Sequence, residues 1–185
     1  MLGRSSPVVD VVSIAGVPVR VPDPDRVVHL QFRRFAGCPV CNVHLRSFAV
    51  RQDEITAAGV REVVVFHSPA DQLREQAGDL PFDLVADPDQ DLYRTFGVTS
   101  ARRALLDPRA WPGIARAVAV TVPAVLRRRV PAPPPSPHGG RLGLPADFLI
   151  GADGTVLAVK YGEHANDQWS VAELLTLVRQ EVPVR

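Results

Sequence analysis

The sequence predicts an α/β sandwich, a central mixed sheet flanked by helices. Three observations predict it. Short β-branched runs alternate with stretches of helical period along most of the 185 residues. Arg61 to Ser68 (REVVVFHS) is a continuous apolar run of the kind that a strand buried on both faces requires. The only two cysteines, Cys38 and Cys41, stand in the order strand, glycine turn, Cys-Pro-Val-Cys, helix.

Taken in order, Val8 to Val21 alternates short apolar runs around Gly16 and Pro18, which predicts a hairpin extending the sheet. Residues 1–26 are read as this N-terminal β extension and 27–185 as the domain proper. Val27, Val28, Leu30 and Phe32 form a short buried strand. Val43, Leu45, Phe48, Val50 and Ile55 then recur on a helical period, closed by Ala57-Ala58-Gly59. Arg61 to Ser68 is the central parallel strand, Pro69 to Gly78 a helix, and Phe82 to Ala86 another strand. Asp87-Pro88 starts a helix through Phe96 that ends at Gly97.

Residues 99–142 break this rhythm and are read as an insertion. Ala101 to Leu106 and Ile114 to Leu126 are helical in composition, with Pro108, Pro112 and Pro123 expected to cut them. Pro131 to Pro137 is an extended, polyproline-like segment. The apolar residues Ile114, Val118, Val120, Val122 and Val125, followed by Arg127 to Arg129, suit a cover over the sheet edge or the site; a membrane surface or a partner subunit is the competing reading. After the insertion, Phe148 to Ile150, the turn Gly151-Ala152-Asp153-Gly154 and Thr155 to Lys160 predict a hairpin, and Ser170 caps a last helix carrying Val171, Leu174, Leu175 and Val178.

Composition limits the function. Hydrophobic residues at 46% and charged residues at 22% fall in the globular range. A formal net charge of +1 gives no global pull toward nucleic acid. Lys160 is the only lysine among many arginines, which suggests a GC-rich bacterial coding bias. Met1 to Gly16 lacks the pattern of a secretory signal, and no apolar run is long enough to span a bilayer, so a cytoplasmic protein without stable membrane insertion is expected. In that compartment a cysteine pair is kept reducible.

The cysteines carry the chemistry. A helix N-terminus presents unpaired N–H groups and the positive end of the macrodipole, so a thiolate at Cys38 is favoured there, below the ordinary thiol pKa of ~8.5. Pro39 suits the first helical turn, where its missing N–H costs nothing. Gly37 supplies the turn before the helix. Cys41, one turn deeper, is placed to meet Cys38 in a disulfide without backbone movement. Cys38 would attack and Cys41 resolve. Two other readings compete: buried structural cysteines, and a zinc site using Cys38, Cys41 and His44. The second lacks a further Cys or His pair to close it, and no metal or other cofactor is expected.

With these motifs in place, the chain resembles the thioredoxin superfamily, and within it the peroxiredoxin-like proteins grouped with alkyl hydroperoxide reductase and thiol-specific antioxidant enzymes. The resemblance covers Val27 to about Thr99 and Gly143 to Leu177. It implies a thioredoxin-like sandwich, matches Cys38 to the peroxidatic cysteine and Cys41 to the second cysteine of the thioredoxin-type motif, and places Pro145, in Leu144 to Ile150, as a cis-proline facing the dithiol. Two departures stand out. Gln31 and Phe35 occupy positions where peroxiredoxins carry a proline and a threonine or serine, and Pro145 stands about where their peroxide-orienting arginine belongs. Arg34 or an arginine of the insertion could take that role, and spacing does not choose between them.

Three functions follow. The resemblance implies a thiol peroxidase, in which a Cys38 sulfenic acid condenses with Cys41 to a disulfide that a cellular thiol, such as a thioredoxin-type protein, reduces. A thiol-disulfide oxidoreductase uses the same dithiol on a disulfide substrate. A non-enzymatic thioredoxin-fold interaction module is the third. A homodimer is compatible with the resemblance. His44, beyond Cys41 on the helix, and His67, at the end of the buried strand, are candidate supporting residues. Asp147 is a candidate base for Cys41, and His164, Asp167 and Trp169 are candidates for the substrate mouth.

Overall fold

The computed structural model describes residues 1–182. Its core is a five-stranded mixed sheet in the order β5-β4-β3-β6-β7. The strands are β3 (Val27–Arg33), β4 (Val60–Phe66), β5 (Asp83–Ala86), β6 (Ala146–Ile150) and β7 (Val156–Tyr161). β3 pairs in parallel with β4 and β4 with β5, while β6 runs antiparallel to both β3 and β7. Every residue of β3 is buried, because it lies in the middle of the sheet with helices or hairpin on both faces.

One face collects Val28, Leu30, Phe32, Val63, Val65, Phe148 and Ile150, packed against Tyr93 and Phe96. Those two aromatics come from, and directly follow, α4 (Asp91–Thr95), whose start is held by Asp87 carboxylate oxygens accepting from the Asp91, Leu92 and Tyr93 N–H groups. The N-terminal hairpin, β1 (Val9–Val12) and β2 (Pro18–Val21), covers this same face. It is a separate two-stranded sheet, not the expected extension of the central one. Its valines give the reason: Val9, Val19 and Val21 point into the cluster around Phe32, so the hairpin lies on the sheet instead of joining its edge.

The other face carries α1 (Pro39–Val50), α3 (Ala70–Ala77) and α7 (Val171–Glu181). The helix after the cysteines breaks at Arg51, and α2 (Gln52–Ala57) follows. α7 begins with a complete capping box between Ser170 and Glu173.

Between β5 and β6 run α4, α5 (Arg103–Leu106), a 3-10 turn over Pro108–Ala110, and α6 (Trp111–Leu126). The expected cuts within α6 are absent. Pro112 sits in the first turn, where no bond is lost, and Pro123 lies inside a helix that continues through the Arg127 N–H to Pro123 carbonyl bond. Packing of α6 against α1 holds it through the proline. The ends of segment 99–142 meet: Ser100 bridges Gly143, and the Ala101 and Leu144 N–H groups donate to the Leu142 and Thr99 carbonyls.

Candidate active site

The site is built at the C-terminal end of β3. Arg33 and Arg34 leave the strand, Phe35 and Ala36 turn, and Gly37 takes φ +82°, a backbone region open to glycine at no steric cost. A Cβ there would lie 2.7 Å from Gln76 Oε1 and 3.1 Å from Pro134 Cδ. Cys38 is then the N-cap of α1, with Pro39 directly after it. Its Sγ accepts the Cys41 N–H at 3.3 Å, and its carbonyl accepts the Asn42 N–H. The turn is tied to the end of β4 by the Ala36 N–H donating to Ser68 Oγ at 2.9 Å.

A second donor reaches the same sulfur. Arg34 Nη2 lies 3.0 Å from Cys38 Sγ, with the arginine only 4% exposed. The two cysteines are free thiols. Burial raises the Cys38 pKa well above its ordinary value, and the neighbouring Cys41 adds to this, against the lowering pull of Arg34. Burial opposes ionisation of Cys41 as well, but the Cys38 hydrogen bond and Arg34 outweigh it and bring Cys41 down to about 6. Cys41 is thus the more acidic thiol, whereas the Arg34 Nη2 and Cys41 N–H donors converge on Cys38. The two thiols share one early ionisation, the first proton leaving readily and the second late.

Both sulfurs are buried. Cys38 is 1% exposed and Cys41 2%. Leu45, Phe66, Leu73, Ala77 and Leu80 pack around them, and the polyproline segment runs as a strap past the adjoining glycine turn, Pro134 Cδ lying 3.1 Å from where a Gly37 Cβ would stand. Gln76 Nε2 donates to the Ala132 carbonyl, Arg141 Nη2 to the carbonyls of Pro134 and Pro135, and Arg34 Nη1 to the Arg141 carbonyl at 3.0 Å. Arg34 and Arg141 both stack over the Phe35 ring. Beside the dithiol a cavity lined by Cys38, Cys41, Asn42, Phe66 and Gln76 leaves about 10 Å³ for the centre of a water-sized molecule, room for roughly one water.

Behind the dithiol, the side chains of β3 that face α1 are polar and buried. His29 Nδ1 contacts Glu62 at 2.9 Å and its Nε2 contacts Asp147 Oδ1 at 3.2 Å; Arg33 Nη2 reaches Asp147 Oδ1 at 2.6 Å and His44 Nε2 at 3.1 Å; Gln31 bonds Glu62. Burial disfavours the His29 cation, yet Glu62 and Asp147 outweigh it and raise its pKa to about 9. Asp147 is held well below the carboxylate range, since Arg33 and His29 overcome its burial. This cluster absorbs two expected site residues. His44 points to Arg33, and burial together with the Arg33 charge keeps it neutral. Asp147 is committed to the ion pairs and to the Trp169 N–H.

His67 lies on the other side of Arg34. Its Nδ1 donates to the His138 carbonyl at 2.9 Å, which fixes the tautomer with Nε2 unprotonated, and Nε2 is buried without a partner among the described residues. Burial lowers its pKa. Nε2 faces Gly143, whose own neighbourhood includes Arg34 Cγ. The Leu144-Pro145 bond corrects an expectation: it is trans, and the cis peptide among the described residues is Val21-Pro22. Pairing of Gly143 and Leu144 with Ser100 and Thr99 holds this segment extended, with the Pro145 carbonyl accepting the Gly162 N–H, so no turn is made toward the dithiol. Trp169 packs on His29 and Asp167 pairs with Lys160. The sequence reading left Arg34 unchosen and overlooked the strap residues Gln76 and Arg141. It overlooked too the stripe His29, Gln31, Arg33, whose alternation with Val28, Leu30 and Phe32 was the available signal.

A dithiol at a helix N-terminus, next to a mixed five-stranded sheet in this order, defines a thiol redox protein of thioredoxin-like fold. Solved structures share that fold. Peroxidoxin BcpB from Mycobacterium tuberculosis superposes with a TM-score of 0.69 at 18% identity, covering 99% of this chain and 98% of that one. Peroxiredoxin Q from Xanthomonas campestris gives 0.63 at 14% identity, over 95% and 92% of the two chains. A thiol:disulfide interchange protein of the thioredoxin family from Chlorobium tepidum TLS gives 0.59 at 16%, over 99% of each. No curated protein sequence matches the chain. Residues 47–164 match the family described as AhpC/TSA antioxidant enzyme, and the chain belongs to that family. It is a peroxiredoxin-like oxidoreductase. The matched segment begins after Cys41, so the assignment is independent of the dithiol.

Proposed function

We propose that the protein reduces peroxides through Cys38. The thiolate attacks one peroxide oxygen, the O–O bond breaks, and Cys38 becomes a sulfenic acid as the other oxygen leaves, protonated, as water or an alcohol. The Cys41 thiol then condenses with the sulfenic acid, losing water and forming a Cys38-Cys41 disulfide. A dithiol reductant such as a thioredoxin-type protein supplies two electrons and two protons to restore the pair. The single observation that carries this reading is the convergence of Arg34 Nη2 and the Cys41 N–H on Cys38 Sγ. Those donors stabilise the attacking thiolate and lie beside the oxygen on which charge develops. His67, with Nε2 free to accept, is proposed to take the proton that the Cys38 thiol loses and to pass it to the leaving oxygen.

The same dithiol suits thiol-disulfide exchange. The burial of the dithiol disfavours it for protein substrates, because a protein disulfide must reach a sulfur that is 1% exposed. The reading extends to a bacterial cytoplasmic location, where the disulfide is reducible, and to a domain over 27–185 with 1–26 as extension and 99–142 as an insertion that supplies the cover; residues 183–185 lie outside the described ones. Among the described residues no helix is long and apolar enough to cross a membrane.

The test is intact-mass analysis of the reduced Cys41→Ser protein after brief, low-dose hydrogen peroxide with a sulfenic-acid trap, alongside Cys38→Ser. Trapping that needs Cys38 supports the peroxidase. No trapping, with the wild type still reducing a model disulfide, moves the function to exchange, and failure of both leaves a binding module.

A further inference from the structure

α6 is unusual for a helix on the outside of a globular protein, because its solvent face is apolar. Its buried side is marked by Ala117 and Thr121, which face the body of the protein. At 100° per residue the opposite side is formed by Trp111, Ala115, Ala119, Val122 and Leu126, with Arg116 at its edge. Trp111 is 59% and Leu126 79% exposed. Trp111 Nε1 donates to the Leu105 carbonyl, which brings exposed Leu106 beside the same face. Surface helices ordinarily turn charged and polar residues outward, and a contiguous exposed apolar face marks an interaction site.

The charges around this face choose the partner. From Pro108 to Ala146 the sequence contains no acidic residue, while Arg116 borders the apolar face and Arg127 to Arg129 follow the end of the helix. Exposed Arg102 and Arg103 precede it. Asp107 and Glu163, the nearby acids, are both paired with Arg109. A second copy of the chain would bring arginines against arginines in either helix orientation, since both ends of α6 are basic. An anionic lipid surface satisfies both halves of the pattern: acyl chains take Trp111, Val122 and Leu126, and headgroup phosphates take the arginines.

We propose that the outer face of α6 docks the protein peripherally on anionic membranes, with the helix in the interface plane. The docking does not depend on the chemistry of Cys38. Because α6 packs against α1, it would hold the dithiol domain at the bilayer surface.

Flotation of the full chain with vesicles tests this, using phosphatidylcholine alone against equal parts of phosphatidylcholine and phosphatidylglycerol. The expected result is flotation with the anionic vesicles only, lost at high salt, with a blue shift and loss of quenching for Trp111 while buried Trp169 is unchanged. Leu126→Asp should abolish flotation. Arg127→Gln with Arg129→Gln should weaken it roughly twenty-five-fold, at roughly fivefold per arginine; Arg128, at φ +54°, is left in place. Unaltered thiol alkylation kinetics in each variant show that the fold is kept. No binding to anionic vesicles, or binding that Leu126→Asp leaves intact, overturns the proposal. So does a lipid-indifferent dimer that Leu126→Asp dissociates, which would give the face to a second copy.

Discussion

Arg34 Nη2 donates to Cys38 Sγ across 3.0 Å, from a residue only four positions earlier and on the other side of the glycine turn. The turn makes this contact possible: Gly37 at φ +82° folds the chain back so that the end of β3 and the start of α1 face each other. In the proposed reaction a cation so placed would act on both the thiolate and the oxygen it attacks. The same guanidinium holds the Arg141 carbonyl through Nη1, which links Cys38 to the end of the strap.

Replacing Arg34 with Ala should therefore slow peroxide oxidation of Cys38 by about a hundredfold, the usual loss for one donor to a developing oxyanion. The pH midpoint of thiol alkylation, set near the low pKa of about 6, should move upward. Arg34→Lys keeps the charge but loses the second donor to Arg141, so it should retain part of the rate. An Arg34→Ala protein with unchanged oxidation rate would remove the arginine from the chemistry.

The strap makes a separate prediction. Arg141→Ala deletes the Nη2 bonds to the Pro134 and Pro135 carbonyls and the stacking on Phe35, while the backbone carbonyl that Arg34 uses remains. Alkylation of Cys38 by a bulky maleimide should accelerate several-fold, and reaction with hydrogen peroxide should change little. Equal acceleration of both reagents would mean that the strap does not sort by size.

The order of elements was legible in the sequence because each carried its own signal: β-branched strands, glycine stops, and a Cys-Pro-Val-Cys at a strand-to-helix junction. The site was legible only in part. Cys38 and Cys41 are identified by local spacing, but Arg34 gains its role from a turn angle, and Arg141 from a contact across more than a hundred residues. β3 shows the limit most clearly. Its alternation of Val28, Leu30, Phe32 with His29, Gln31, Arg33 is the pattern of a strand with one wet face, yet both faces are buried, because Glu62 and Asp147 on the flanking strands complete the charges. Pro145 failed for a related reason: the backbone of 99–101, distant in sequence, fixes it extended and trans.

Gly37→Ala should destabilise the fold by about 1–2 kcal/mol, the cost of a left-handed conformation for an L-residue. The added methyl also meets Gln76 Oε1 at 2.7 Å and Pro134 at 3.1 Å. The glutamine tip can move aside, and in doing so it gives up its bond to Ala132, so the strap should loosen as well. Urea unfolding reads the first effect and bulky-maleimide labelling the second. A variant as stable as wild type, with the strap equally protective, would contradict both.

The buried His29 cluster predicts how stability depends on pH. The folded pKa of His29, about 9, stands above its ordinary 6.5, so the protonated form is favoured in the folded state. Its contribution is fully present below pH 6.5 and is lost as pH rises through about 9. At ~1.4 kcal/mol per pKa unit, this amounts to roughly 3 kcal/mol at most. The dithiol titrates across the same window with the opposite sign, since a thiol lowered from 9.0 to about 6 gains stability as pH rises. The two must be separated, and a Cys38→Ser, Cys41→Ser background does so. His44 and His67, whose pKa burial lowers, add stability as pH rises through 6.5, so in that protein urea unfolding should show stability falling from about pH 7.5 to 9, and His29→Asn should remove the fall while lowering stability at neutral pH. Asp147, held well below the carboxylate range by Arg33 and His29, adds no slope of its own here. A flat profile before His29 is replaced would show that the imidazole is neutral in the folded protein and that Arg33 alone balances the two carboxylates.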